Sequence, residues 1–377
     1  MTGKNQHAPS SIRSHPWREI LVVAVGVCLL LAVVDWAYAA LISRLDLATE
    51  IVDVQSRGIF DAKLDRLRLH KGMKVVLIGD SLIYGQSLEK HGDPAWREHG
   101  LSAQMQRLIQ GRFPDQNPLV MNLGTDGMIP ADMERIVREI VPCDVDLIIL
   151  DLNMRSFSSD FSKPEEIFSR EWIREMSLQE SGGKGSSKGL ADLIDRTLSA
   201  LAGRVWTLYR TRELLQGRIL DGTPKEYLRR LGTKARARLQ SASGNSGEGM
   251  DDILLVMKSK NRYKGIHFAS DNPQRQSLER MMAYLKERKQ RTIAFYARES
   301  RQRIFSIINE DRYNSLRKEL EEILRPYLDS RLAYLPGAET LEERNYLDAV
   351  HVDRDGYRIL LVYLWPKIEE MLSLKND

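Results

Sequence analysis

The chain has 377 residues, enough for one large α/β domain with insertions or for two domains of ordinary size. Its 56 basic residues are nearly offset by 52 acidic ones, and a net charge of +4 provides no global field that would point to nucleic acid. Of the two cysteines, Cys28 lies in the first apolar run and Cys143 precedes a strand-like one, so they make no plausible disulfide and leave the redox compartment open.

The first signal along the chain is topological. A polar tail with Lys4, Arg13 and Arg18 precedes residues 20–42, an apolar run whose one charge is Asp35 and which is long enough to cross a hydrocarbon core of roughly 30 Å. The cationic tail favours a cytoplasmic N-terminus. Residues 1–19 are therefore expected to be a cytoplasmic tail, 20–43 a transmembrane signal anchor and 44–71 a juxtamembrane linker, with the rest outside the cytoplasm, periplasmic if the cell is Gram-negative. Ala37-Tyr38-Ala39 also resembles a small-residue cleavage site, and removal of the segment is a second reading with the same extracytoplasmic outcome. Asp35 falls near the outer end of the span, where a carboxylate can reach the interface.

Strand and helix patterns then alternate. Residues 73–78 form a continuous apolar run of the kind a strand buried on both faces requires, and it ends at Gly79-Asp80-Ser81. A helix is expected over 94–110, a strand over 119–123 ending in Gly124, a helix opened by Pro130, and a strand over 145–152 running into Asn153. The rhythm resumes with a helical stripe at Leu278, Met281, Met282 and Leu285, a strand over 292–297, a charged helix around 316–323, a strand over 332–335 and a last helix from about Asp353. This alternation, without hairpin signals, predicts an α/β fold with a mostly parallel sheet covered by helices on both faces. Residues 158–277 break the rhythm and read as a largely helical insertion, with loop-like Gly/Ser stretches at 181–189 and 241–249. Between those stretches lies a basic segment with Trp206, Tyr209, Arg210, Arg212, Arg229, Arg230, Lys234, Arg236 and Arg238. It reads as a solvated amphipathic helix pair or, alternatively, as a surface for anionic headgroups or an acidic polymer.

Candidate chemistry gathers where the strands end, which is where ligand sites form in open parallel sheets. Ser81 follows a buried strand at a sharp turn, but a serine hydroxyl needs a base. His351, directly before the last helix, supplies an imidazole, and Asp348 three positions earlier supplies a carboxylate to hold its other nitrogen. The backbone amides of Ser81 and Gly124 and the side-chain amide of Asn153 are candidate donors for an oxyanion hole. His91 and His99 lack metal-ligand spacing and read as surface residues, and His267, in the strand-like run 265–268, reads as structural. No metal cluster, phosphate-binding loop or dinucleotide fingerprint occurs, and no cofactor is expected.

These motifs resemble the SGNH (GDSL-type) hydrolase superfamily. Its first block is matched by Ile78-Gly79-Asp80-Ser81-Leu82, its second-block glycine by Gly124, its third-block asparagine by Asn153 and its last block by Asp348 and His351. The resemblance covers 72–157 and 278–374 and implies a three-layer α/β/α sandwich, flavodoxin-like in layout, in a first part 72–157 and a second part 278–377. It implies esterase, lipase, thioesterase or carbohydrate O-acetyl esterase or transferase chemistry. The third block departs from the family's Gly-x-Asn-Asp, with Asp151 for the glycine and Met154 for the acid, which touches pocket shape and substrate class.

The single span and long insertion resemble the anchored members that work beside membrane-bound O-acyltransferases in acylating exopolysaccharides or teichoic-acid-like polymers. The resemblance thus implies an acylated glycan or acyl donor as substrate, a membrane-bound O-acyltransferase as partner and no nucleic acid. A lipid-directed esterase or lysophospholipase, and a non-catalytic assembly partner, stand as alternative readings.

Overall fold

The computed structural model of the chain describes residues 16–44, 54, 57–163, 167–180, 262–337 and 339–374. The Gly/Ser stretches 181–189 and 241–249 and the basic segment between them lie outside the described residues. Helix α1, Pro16–Arg44, contains the window Ile20–Ala37, with mean hydropathy 2.7 and no residue buried. A helix satisfies every interior backbone hydrogen bond within itself, so this one is long and apolar enough to be a membrane span or a signal anchor.

The folded domain is built on five parallel strands: β1 Lys74–Ile78, β2 Leu119–Asn122, β3 Leu147–Leu152, β4 Thr292–Tyr296 and β5 Leu332–Leu335. Their order is β2-β1-β3-β4-β5, the flavodoxin-like doubly wound layout. Register pairs Leu77 with Asn122 and Ile149, and Leu150 with Ala294, so the carboxyl ends of β1, β3 and β4 come out together.

Side chains alternate between two apolar layers, as the two-residue strand period requires. Val76, Ile78, Ile148, Leu150 and Tyr296 face a core shared with helices α2 (Arg57–Leu69), α5 (Pro130–Ile140), α6 (Pro273–Glu287) and α7 (Glu310–Leu324). Val75, Leu77, Ile149 and Phe295 face the other core, closed by α4 (Leu101–Arg112) and α8 (Arg354–Ser373). The result is the expected α/β/α sandwich.

Some boundaries differ from the sequence reading. The helix predicted over 94–110 is two helices, Trp96–His99 and α4, because Gly100 is extended at φ −65° and ψ 159°. The stripe at Leu278 belongs to a helix that starts at Pro273, capped by Asn272 Oδ1 accepting from the Gln274 and Arg275 amides. The run 265–268 contributes one antiparallel bridge, Ile266 to Ser158, and no strand.

Candidate active site

The turn after β1 is built to present Ser81. Gly79 has no room for a side chain, since a Cβ there would lie 2.6 Å from both Asp151 Cβ and Ile83 Cγ1. Asp80, extended at φ −84° and ψ −153°, caps the one-turn helix α3, Ser81–Tyr84, by accepting from the Leu82 amide at 2.9 Å. Gly85, at φ 79°, closes that turn in the left-handed region and donates to Ser81 O at 2.9 Å. As the first residue of the turn, Ser81 has an amide with no intrahelical acceptor.

His351 reaches Ser81 from beyond β5. Its Nε2 lies 2.7 Å from Ser81 Oγ and its Nδ1 lies 2.6 Å from Asp348 Oδ2. The imidazole is largely buried, with 19% of its side chain exposed. Asp348 Oδ1 also accepts from the Val350 and His351 amides, both at 2.9 Å, so one carboxyl folds the loop and holds the ring. Burial pushes the Asp348 carboxyl up, but the His351 hydrogen bond and charge, with those two amides, bring it below the usual carboxylate range. Asp353 starts α8 by capping Gly356, and the Tyr357 hydroxyl donates to Leu82 O at 2.8 Å, tying that helix to the Ser81 turn.

Asn153 lies at the end of β3 and lines the same cleft as Ser81 and His351. Its Oδ1 accepts from the Arg155 amide at 2.9 Å and Arg155 Nε at 3.2 Å, which leaves its NH₂ to donate to Asp80 Oδ2. The Gly124 amide donates to Asn122 Oδ1 at 2.8 Å. Its need for glycine is steric, because a Cβ would meet Ile83 Cγ2 at 2.7 Å and the Tyr84 amide at 2.8 Å.

The cleft is lined by Leu82, Leu152, Ala297 and Val350 together with polar groups that include two acids the sequence reading gave no role, Asp151 and Glu299. Glu299, beyond β4, accepts from the hydroxyls of Tyr263 at 3.1 Å and Tyr313 at 3.0 Å. Burial lifts its carboxyl to about 7, with Arg155 and those hydrogen bonds offsetting only part. Burial and the facing Glu299 in turn push both phenols up. Asp151, 2% exposed on β3, is pushed well above the carboxylate range by burial and then by the charge and hydrogen bond of Asp80. Arg155, Tyr263, Glu299 and Tyr313, distant in sequence, thus form one buried polar cluster.

The other histidines have local roles. His91 Nδ1 lies 2.7 Å from Ser87 O, His99 Nδ1 lies 2.6 Å from Asp93 Oδ2, and His267 accepts through its carbonyl from Asn272 Nδ2 at 2.7 Å. Among the described residues no group of three His, Cys, Asp or Glu side chains is placed to hold a metal.

No protein-family model matches the chain, and no curated protein does. Solved structures align with it at low similarity. An α/β hydrolase from the metagenome of Lake Arreo, Spain, is 9% identical, with 81% of this chain and 99% of that chain covered and a TM-score of 0.40. A variant of an acetyl-xylooligosaccharide esterase from Geobacillus stearmophilus is 11% identical, covering 82% of this chain and 98% of that chain at a TM-score of 0.40. A carbohydrate acetylesterase family member from Sinorhizobium meliloti is 15% identical, covering 80% and 100% at a TM-score of 0.34. Overlaps this loose carry no argument, and the functional reading rests on the site itself.

Proposed function

We propose that the chain is an SGNH-type serine esterase or O-acyltransferase acting on short acyl esters of an exopolysaccharide or cell-envelope glycan. One observation carries the reading: a single hydrogen-bonded line from Asp348 through His351 to Ser81, at the carboxyl edge of a parallel sheet.

In the proposed reaction Ser81 Oγ bonds to the acyl carbon while its proton passes to His351 Nε2, and Asp348 holds the resulting imidazolium. The carbonyl oxygen takes the negative charge, facing the Ser81 amide and the Asn153 side chain. Gly124 would be the third donor, its amide exchanging Asn122 Oδ1 for the oxyanion. Collapse breaks the ester bond as His351 protonates the departing oxygen, leaving an acyl-serine. Water or a sugar hydroxyl then gives its proton to His351, takes the acyl group and frees Ser81.

We further place residues 1–19 in the cytoplasm, 20–43 in the membrane and the catalytic domain outside, with 158–277 inserted between the two parts of the fold and a membrane-bound O-acyltransferase as partner. The apolar helix also favours a second reading, a lipid-directed esterase.

The deciding experiment treats the full chain in detergent with a fluorophosphonate probe and measures the mass of any acyl group on Ser81 isolated from cells. Labelling is expected in wild type and its loss in Ser81→Ala and His351→Ala with the fold retained. Wild-type labelling in His351→Ala would sink the triad, and a long fatty acyl group on Ser81 would favour the lipid reading.

A further inference from the structure

A carboxyl group stands in the wall of the cleft beside Ser81 and His351, and the reaction written above leaves it without a task. Glu299 follows β4, exposes 3% of its surface and lines the cleft. Burying an acid there costs free energy that an apolar side chain of the same size would not. Two hydrogen bonds offset part of that cost: the Tyr263 hydroxyl donates to Oε1 at 3.1 Å and the Tyr313 hydroxyl to Oε2 at 3.0 Å.

Both phenols come from the core. Tyr263 and Tyr313, 2% and 1% exposed, belong to the apolar layer shared with α7. A carboxyl group offers about four acceptor positions, and each phenol takes one, on separate oxygens. The pair fixes the carboxyl from the core side and leaves acceptor capacity on a residue that also lines the cleft.

The backbone on either side of Glu299 is laced to the loop that carries His351. Arg298 O accepts from the Tyr346 hydroxyl at 2.7 Å, and the Ser300 amide donates to Ala349 O at 3.0 Å. The candidate oxyanion donors, the Ser81 amide and the Asn153 side chain, lie instead beyond β1 and β3. In the proposed reaction the ester carbonyl faces those donors, while the departing oxygen and the incoming hydroxyl meet His351. Glu299 therefore stands on the side of the alcohol.

We propose that Glu299 is a specificity-determining residue that accepts a hydrogen bond from a second hydroxyl of the alcohol, next to the oxygen that carries the acyl group. The inference rests on the reading of Ser81 as nucleophile and His351 as base, and it narrows the substrate to esters of polyhydroxylated alcohols such as sugars. An alcohol without that hydroxyl leaves the buried carboxyl against an apolar group, which is how sites built for hydrogen bonding reject close analogues.

The test uses the full chain in detergent and two acetyl esters that differ by one hydroxyl, trans-1,2-cyclohexanediol monoacetate and cyclohexyl acetate. They are compared at about pH 8, where the carboxyl, lifted by burial to about 7, is ionised. The readout is the ratio of their kcat/KM values, in which the amount of folded enzyme cancels. The expected ratio is about a hundred in wild type, about ten in Glu299→Gln, which keeps a neutral acceptor, and about one in Glu299→Leu. A wild-type chain that labels at Ser81 with fluorophosphonate but favours neither ester, or the wild-type ratio retained in Glu299→Leu, would overturn the proposal while leaving Ser81 as nucleophile. A wild-type chain that never labels would remove both readings. If Glu299→Leu does not fold, Glu299→Gln decides: a ratio about tenfold lower supports the proposal, and an unchanged ratio overturns it.

Discussion

Glu299→Gln should flatten the dependence of stability on pH. Glu299 exposes 3% of its surface, and burial lifts its carboxyl from 4.5 to about 7. The folded chain therefore keeps a proton that the unfolded chain releases above pH 4.5. Stability falls as pH rises from there to about 7 and levels off above that, since both states are then ionised. At about 1.4 kcal/mol per pH unit the interval corresponds to about 3 kcal/mol. Glutamine mimics the neutral acid, and the hydroxyls of Tyr263 and Tyr313 can rotate to suit its amide. The unfolding free energy of the full chain in detergent, from urea titrations at pH 4.5 to 8, should therefore fall by about 3 kcal/mol less in the variant than in wild type. Asp132, lifted to about 6 by burial despite its Ser169 and Ile129 hydrogen bonds, adds a slope of the same sign to both proteins, and it cancels in the difference. Parallel curves for the two proteins would refute the assignment of this titration to Glu299.

Two further substitutions probe the turn and the donor. Asn153→Ala should lower the limiting labelling or turnover rate about 10²–10³-fold, as expected for an oxyanion donor, with the fold unchanged by circular dichroism; a loss confined to KM would count against that role. Gly79→Ala forces a methyl to within 2.6 Å of Asp151 Cβ and Ile83 Cγ1, and a loss of about 1–3 kcal/mol in urea unfolding is expected.

The sheet was legible because parallel strands buried on both faces leave continuous apolar runs, and all five fell within two residues of the expected bounds. Where a local rule met a tertiary demand, the sequence misled. Gly100 splits a helix that the apolar spacing carries straight through, and 265–268 has strand composition but a single bridging partner. The hydrogen-bonded line from Asp348 to Ser81 was readable because each member lies in a short motif at a strand end or before a helix. Glu299, Tyr263 and Tyr313 carry no motif; the placement of β4 beside β3 brings Glu299 to the cleft, and the two hydroxyls reach it from elements distant in sequence. Asp151 stood out as a departure from the third block, and the structure places it on the cleft wall. Gly124 was read as a backbone donor, and the structure adds a steric need for glycine there, against Ile83.

Ser81 and His351 are separated by 270 positions and bond directly. His351 enters after β5, and the helix that follows it, α8, closes the second apolar layer. A cut between β5 and the Asp348–His351 loop would therefore take away, in one event, the imidazole that faces the Ser81 hydroxyl and a wall of that layer. Packing and the Ser81–His351 pairing are lost together, so no well-packed form of the domain is left with Ser81 lacking its neighbour.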